Sequence, residues 1–317
     1  MIESGSRSLL LVHGRDFKPN ADAWFELSVG ALRAGIERDY AEDVSEFDSL
    51  LKHHAWYGDL TNELLADHGY SYDEQLDIGD RRSALNQLRQ IDTRKRFGIR
   101  QYDCLPGKSA IREFIADVTA PVVGAFGLTM PVLSRVSKDF ASYLQGDTGY
   151  CQGVRDRVRG KVCELLDRGD EVLLLTHGTG SAIAYDILWQ LSHENTYKAQ
   201  YGDRKIALWL TPGSPLGDSH IRRRLHGAKE KLALRYPSNV IAWHNVSAED
   251  DYTCHDDTLA DDFRKMMDHR VVSAVHDYKI YNLAVRYGRS NPHSSIGYFI
   301  HPRVSKIIVD WLRNCRD

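Results

Sequence analysis

Four apolar runs constrain the fold more than any other feature of the chain. Residues 9–12, 172–175, 206–210 and 240–246 lack regular polar alternation. Strands of this kind are buried on both faces, as in a parallel sheet covered by helices on either side. The first three lead into glycine-bearing turns: His13-Gly14, His177-Gly178-Thr179-Gly180, and Pro212-Gly213-Ser214-Pro215. The fourth leads into the acidic stretch Ser247-Ala248-Glu249-Asp250-Asp251-Tyr252. Helical periodicity follows the first two turns, with Trp24, Leu27, Leu32 and Ile36 on one stripe and a second helix over 182–191. Strand followed by helix, several times over, predicts an α/β sandwich. Residues 54–57 are a weaker strand candidate.

Between residues 70 and 149 the strand signals vanish. Residues 73–94 are polar and helix-favouring, and 110–118 and 132–144 also read as helical. The expectation is a helical insertion within one domain spanning 1–317. Its least charged part, 120–133, contains Gly124, Gly127, Pro121 and Pro131 and is expected to pack against the sheet. A mobile lid over an apolar pocket and a membrane-touching helix are the alternatives.

Composition narrows the function classes. The chain has 317 residues, 42% of them hydrophobic, which suffices for a large core. Its net charge of -3 argues against nucleic acid as a partner, since phosphate binding needs a concentrated positive field. With no basic apolar leader and no long apolar run, a cytoplasmic protein without a transmembrane segment is expected. Cys104, Cys151, Cys163, Cys254 and Cys315 are odd in number and scattered, so they read as reduced thiols without a disulfide framework or zinc site. No GxGxxG follows a strand and no Walker A motif is present, so no cofactor is expected. His255, Asp256 and Asp257 with Asp261 and Asp262 have no metal-ligand spacing, and residues 258–267 read as a helix with a solvated acidic face. Arg222, Arg223 and Arg224 read as a surface stripe, with contact to an anionic substrate as the lesser option. No pattern fixes an oligomeric state.

The stretch from Leu174 through His177-Gly178-Thr179-Gly180-Ser181 to Ala182 takes a buried strand through a tight turn into a helix. This is the setting of a nucleophile elbow, where backbone N–H groups and a helix N-terminus can stabilise an oxyanion. Four other pieces occur in order with it: His13-Gly14, Gly213-Ser214-Pro215-Leu216-Gly217, the acidic loop, and a late histidine before the final helix. Over most of its length the chain therefore resembles the α/β-hydrolase superfamily, and within it bacterial lipase- and esterase-like proteins. The resemblance implies an α/β-hydrolase fold, with a mostly parallel sheet flanked by helices and residues 70–149 as a helical cap. It also implies a small-molecule ligand of acyl or lipid-like character.

The resemblance places a nucleophile directly after His177, but this chain has Gly178 there, which carries no attacking group. Thr176 stands where the superfamily usually has its first glycine. Ser181 is a nearby hydroxyl, three residues on, where capping or packing competes with any catalytic role. Asp251 is the first candidate for the orienting acid and Asp250 the second. His293 is the expected base. His301, directly before Pro302, suits a helix start better. His177 reads as a buried structural histidine. The resemblance assigns the oxyanion donors to the Arg15 and Thr179 amides; Arg15 and Lys18 read either as positive charge near the mouth or as ordinary loop charges.

Ordinary serine-type hydrolysis is consequently not expected. Three functions remain: an ester or acyl hydrolase lineage that lost its nucleophile, by a natural or an introduced change; a non-catalytic binding pseudo-hydrolase, as in neuroligin-like members; or His293-dependent catalysis without a covalent intermediate. The retained Asp251 and His293 favour the first and third.

Overall fold

A computed structural model describes residues 6–107, 129–146, 149–254 and 258–314. Its strands are β1 (Arg7–Val12), β2 (Leu51–Ala55), β3 (Glu171–Thr176), β4 (Ile206–Pro212), β5 (Val240–Ala248) and β6 (Ala274–Ile280), followed by the two-residue strands β7 (Val285–Arg286) and β8 (Arg289–Ser290). The helices that frame the site are α1 (Ala21–Asp39), α2 (Gly58–Asp67), α3 (Glu74–Arg89), α4 (Met130–Val136), α5 (Lys138–Gln145), α6 (Gly149–Asp167), α7 (Gly180–His193), α8 (Ser295–Phe299) and α9 (Pro302–Asn314).

The first six strands form one sheet in the order β2-β1-β3-β4-β5-β6, with every neighbouring pair parallel. The fold is α/β. Alternate side chains go to opposite faces. Leu10, Val12, Leu174 and Trp209 join one core with residues of α6 and α7, whereas Leu9, Leu11, Leu175 and Leu210 join another with α1 and α9. This double burial is why the central strands read as continuous apolar runs.

The chain leaves β1 toward β2 on one side and returns through β3 toward β4 on the other. The carboxyl ends of β1 and β3 therefore flank a switch point, the place where open α/β sheets form a crevice. Both the His13-Gly14 turn and the His177-Gly178 turn open there. A Cβ on Gly180 would strike the His13 carbonyl, so only glycine lets the two turns pack.

Several expectations need correction. The weak strand lies at Leu51–Ala55, so Trp56 and Tyr57 are beyond its end. Strand β6 went unread because it is a sheet edge carrying the exposed His276 and Lys279. The helix expected over 132–144 is two helices, broken at Ser137, where φ is −157°. The one expected over 258–267 is also two, Leu259–Asp262 and Arg264–Asp268. Residues 110–118 and most of the apolar stretch 120–133 lie outside the described residues; within the remainder, Val132 and Leu133 are buried. None of the four described cysteines forms a disulfide. Among the described residues no helix is long and apolar enough to cross a membrane.

Candidate active site

The turn after β3 is fixed by its backbone. His177 N–H donates to the Val12 carbonyl at 3.0 Å and Gly178 N–H to the Pro212 carbonyl at 2.9 Å, tying the turn to both neighbouring strands. Gly180 and Ser181 N–H groups close back on the His177 and Gly178 carbonyls, each at 3.0 Å. Gly178 itself has φ +56°, in the left-handed region. Thr176 is held because its hydroxyl accepts the Trp209 indole N–H at 3.0 Å. Among the described residues the Thr179 and Arg15 amides have no acceptor, whereas those of Gly178, Gly180 and Asp16 do.

Across the turn stands His293. Its Nδ1 lies 2.8 Å from Asp251 Oδ2, and that oxygen also accepts the Tyr298 hydroxyl at 2.7 Å. The other carboxylate oxygen accepts the Thr253 N–H at 3.0 Å. Asp251 is buried, which alone would raise its pKa, but the adjacent His293 and these hydrogen bonds hold it down to about 2. An ionised carboxylate only accepts, so the neutral imidazole carries its proton on Nδ1. Nε2 then presents its lone pair, and it is buried without a hydrogen-bond partner among the described residues. A Cβ at position 178 would lie 3.0 Å from that nitrogen.

Two supporting residues had no signal in the sequence. Asn282 donates both amide protons to the carbonyls of Pro292 and Ser294, each at 2.9 Å, and so grips the chain on either side of His293. Tyr298 accepts the Ala248 N–H at 2.9 Å while donating to Asp251, which fixes the acid loop to α8.

Other candidates fall away from this cluster. Ser181 is fully buried, and its hydroxyl meets the Gly178 carbonyl and, at 2.8 Å, Ser214 Oγ, so it braces the turn. Asp250 accepts the Tyr102 hydroxyl at 3.0 Å and is not within hydrogen-bond reach of His293. His301 caps α9, accepting the Arg303 N–H on Nδ1 at 3.0 Å. His177 is buried against His293, with ring centres 4.7 Å apart, and burial followed by the charge of His293 pushes its pKa well down.

Arg15 and Lys18 are not ordinary loop charges. The Arg15 guanidinium reaches the Val136 carbonyl at 2.8 Å and the Tyr252 hydroxyl. The buried Lys18 ammonium is wrapped by the carbonyls of Arg15, Asp16 and Phe17, and burial together with Arg81 lowers its pKa to about 8. Arg222 leaves the expected surface stripe: it is partly buried and binds the carbonyls of Leu216 and Gly217 and the Asp262 carboxylate. His255, Asp256 and Asp257 lie outside the described residues.

His293, His177, Asp251 and Arg15 line one cleft of about 510 Å³, a size suited to a small ligand. No family model, curated protein or solved structure matches the chain.

Proposed function

We propose that the chain is an α/β-hydrolase-fold protein of ester or acyl hydrolase lineage whose site keeps the acid, the base and the oxyanion donors but not the nucleophile. One observation carries the reading: the Cβ direction of Gly178 points at Nε2 of His293, whose other nitrogen is held by Asp251. That is the arrangement in which a hydroxyl at position 178 would give its proton to an oriented imidazole. Chain order supports it too, since position 178, Asp251 and His293 follow the order nucleophile, acid, histidine. The Thr179 and Arg15 amides, lacking acceptors among the described residues, are the donors a developing oxyanion needs. Glycine cannot form an acyl intermediate, so serine-type turnover is not expected of this chain. That the helical insertion in residues 70–149 acts as a cap belongs to the same proposal.

The unpartnered Nε2 favours a second reading. A buried lone pair beside an open cleft can take a proton from a water molecule as that water's oxygen attacks a bound carbonyl, without a covalent enzyme intermediate.

Hydrolysis of p-nitrophenyl acetate and butyrate by the chain, by Gly178→Ser, by His293→Ala and by Gly178→Ser/His293→Ala separates these readings. Activity confined to Gly178→Ser supports the lost-nucleophile reading. Activity of the unmodified chain that disappears in His293→Ala supports direct water activation. Silence from all of them counts against both and leaves a binding protein.

A further inference from the structure

We propose that the cleft beside His293 receives an acyl group carrying a second, ionised carboxylate, so that its ligands are half-esters or half-thioesters of short dicarboxylic acids. The site reading above is used only to place the scissile carbonyl; the inference itself comes from the cleft wall. Five cationic side chains line that wall (Arg15, Lys18, Arg81, Arg286 and Arg289) against three carboxylates (Asp16, Asp250 and Asp251). Val136 is the one aliphatic side chain besides Pro292 among the described lining residues.

The carboxylates are committed elsewhere. Asp251 is shared between His293 and Tyr298, Asp250 takes the Tyr102 hydroxyl, and the Asp16 carboxylate is 61% exposed. Arg81 and Arg286 pair with Asp77, and Arg286 also with Asp80, but neither of those acids lines the cleft. Among the described residues the Lys18 ammonium meets only backbone carbonyls, with no carboxylate within ion-pair distance, although Asp16, Asp139 and Asp77 act on it from farther off. The Arg15 side chain is 8% exposed, its Nε is without a hydrogen-bond partner among the described residues, and its nearest carboxylate, Asp16, is 3.9 Å away. Arg289 stands exposed on the β8 side of the same cleft, without a carboxylate partner among the described residues. Arg15, Lys18 and Arg289, with no carboxylate closer than 3.9 Å among the described residues, put positive potential on this concave surface where a ligand would lie. A guanidinium such as Arg289 matches a carboxylate in planarity and donor spacing.

The test has a binding arm and a turnover arm. Glutarate, with dimethyl glutarate as its uncharged control, is titrated calorimetrically near neutral pH into the unmodified chain and into Arg289→Glu and Arg289→Ala. Glutarate is expected to bind the unmodified chain, about tenfold more weakly to either variant, and less well as salt rises. Equal binding of the diester, no effect of the Arg289 changes, or no glutarate binding overturns the inference. In Gly178→Ser, mono-p-nitrophenyl glutarate is expected to turn over faster than p-nitrophenyl butyrate. A preference for the neutral ester overturns the anionic-acyl inference and leaves the hydrolase reading standing. Turnover of neither ester, with Arg289-dependent glutarate binding intact, overturns the hydrolase reading and leaves the anion site standing.

Discussion

A side chain at position 178 would put its Cβ 3.0 Å from Nε2 and 3.1 Å from Cε1 of His293, on a backbone whose φ is +56°. Two penalties meet there. L-residues other than glycine are disfavoured in the left-handed region, and the imidazole must withdraw by a few tenths of an ångström. Gly178→Ala and Gly178→Ser are expected to lower stability by about 1–3 kcal/mol in urea unfolding. Unchanged or higher stability would mean that the turn relaxes freely, and the positional argument for a former nucleophile would weaken.

Asp251 makes a prediction in acid. Burial favours its neutral form, but His293, Tyr298 and the Thr253 amide outweigh that and bring the pKa from 3.8 to about 2. A folded-state pKa below the unfolded one adds stability that is complete above about pH 4 and disappears as pH falls toward about 2. Its size is on the order of 2 kcal/mol. Tyr298→Phe removes one of the stabilising donors and leaves the Ala248 N–H without its acceptor. The acid transition of Tyr298→Phe should therefore begin at higher pH, with a loss of about 1–3 kcal/mol near neutrality. An acid transition identical to that of the unmodified chain would exclude Tyr298 as a support of the pair.

Buried histidines act over a different window. His301 packs edge-on to Phe97, and burial, then the charges of Arg38 and Arg303, lower its pKa from 6.5 to about 3. The unfolded chain binds this proton first, so the contribution of His301 is complete above about pH 6.5 and is lost progressively toward about pH 3. His301→Asn retains an acceptor for the Arg303 N–H while removing the titrating ring. Stability measured from pH 7 to pH 4 should fall less steeply in this variant, by up to about 1.4 kcal/mol per pH unit. An equal slope would show that His301 is not a source of acid sensitivity.

What was legible in the sequence follows from burial. Leu9 and Leu10 face different cores, so β1 reads as an unbroken apolar run, and β3, β4 and β5 read similarly. The sheet edges did not: β2 exposes Leu51 and leaves Lys52, His53 and His54 half-buried, and β6 exposes His276 and Lys279, so neither has an apolar signature. Ser137 broke a helix whose periodicity ran straight through it, since its side chain turns to Asp139 at 3.0 Å. Gly180 of the elbow was readable because close packing against the His13 carbonyl demands it. Chain order singles out Asp251 and His293, which lie 2.8 Å apart, but Asn282 and Tyr298 work through partners distant in sequence. Nothing local marks such a residue.

An ion network holds the His293 segment in place. The Arg286 side chain is 7% exposed and binds Asp77 at 2.6 Å and also Asp80, both on α3, while the Tyr287 N–H donates to Asp80 at 2.7 Å. Arg81 and Tyr72 complete the shell of Asp77 at 2.8 and 2.9 Å. These contacts fasten the β7–β8 hairpin, which runs directly into Asn291 and His293, to α3. Arg286→Met leaves Asp80 with a desolvated oxygen and no counter-charge, and should destabilise by about 3–5 kcal/mol. Asp80→Asn alone strands the same guanidinium less severely, because Asp77 still faces it. The double variant Arg286→Met/Asp80→Asn should therefore lose less than the sum of the two single losses, as contacting partners do. Hydrogen exchange should accelerate at the Ser290 amide, which donates to the Pro106 carbonyl at 2.8 Å and reports on the hairpin anchorage. Additive losses, or exchange at Ser290 unaltered in Arg286→Met, would show that the hairpin is held by its apolar packing and not by this ion network.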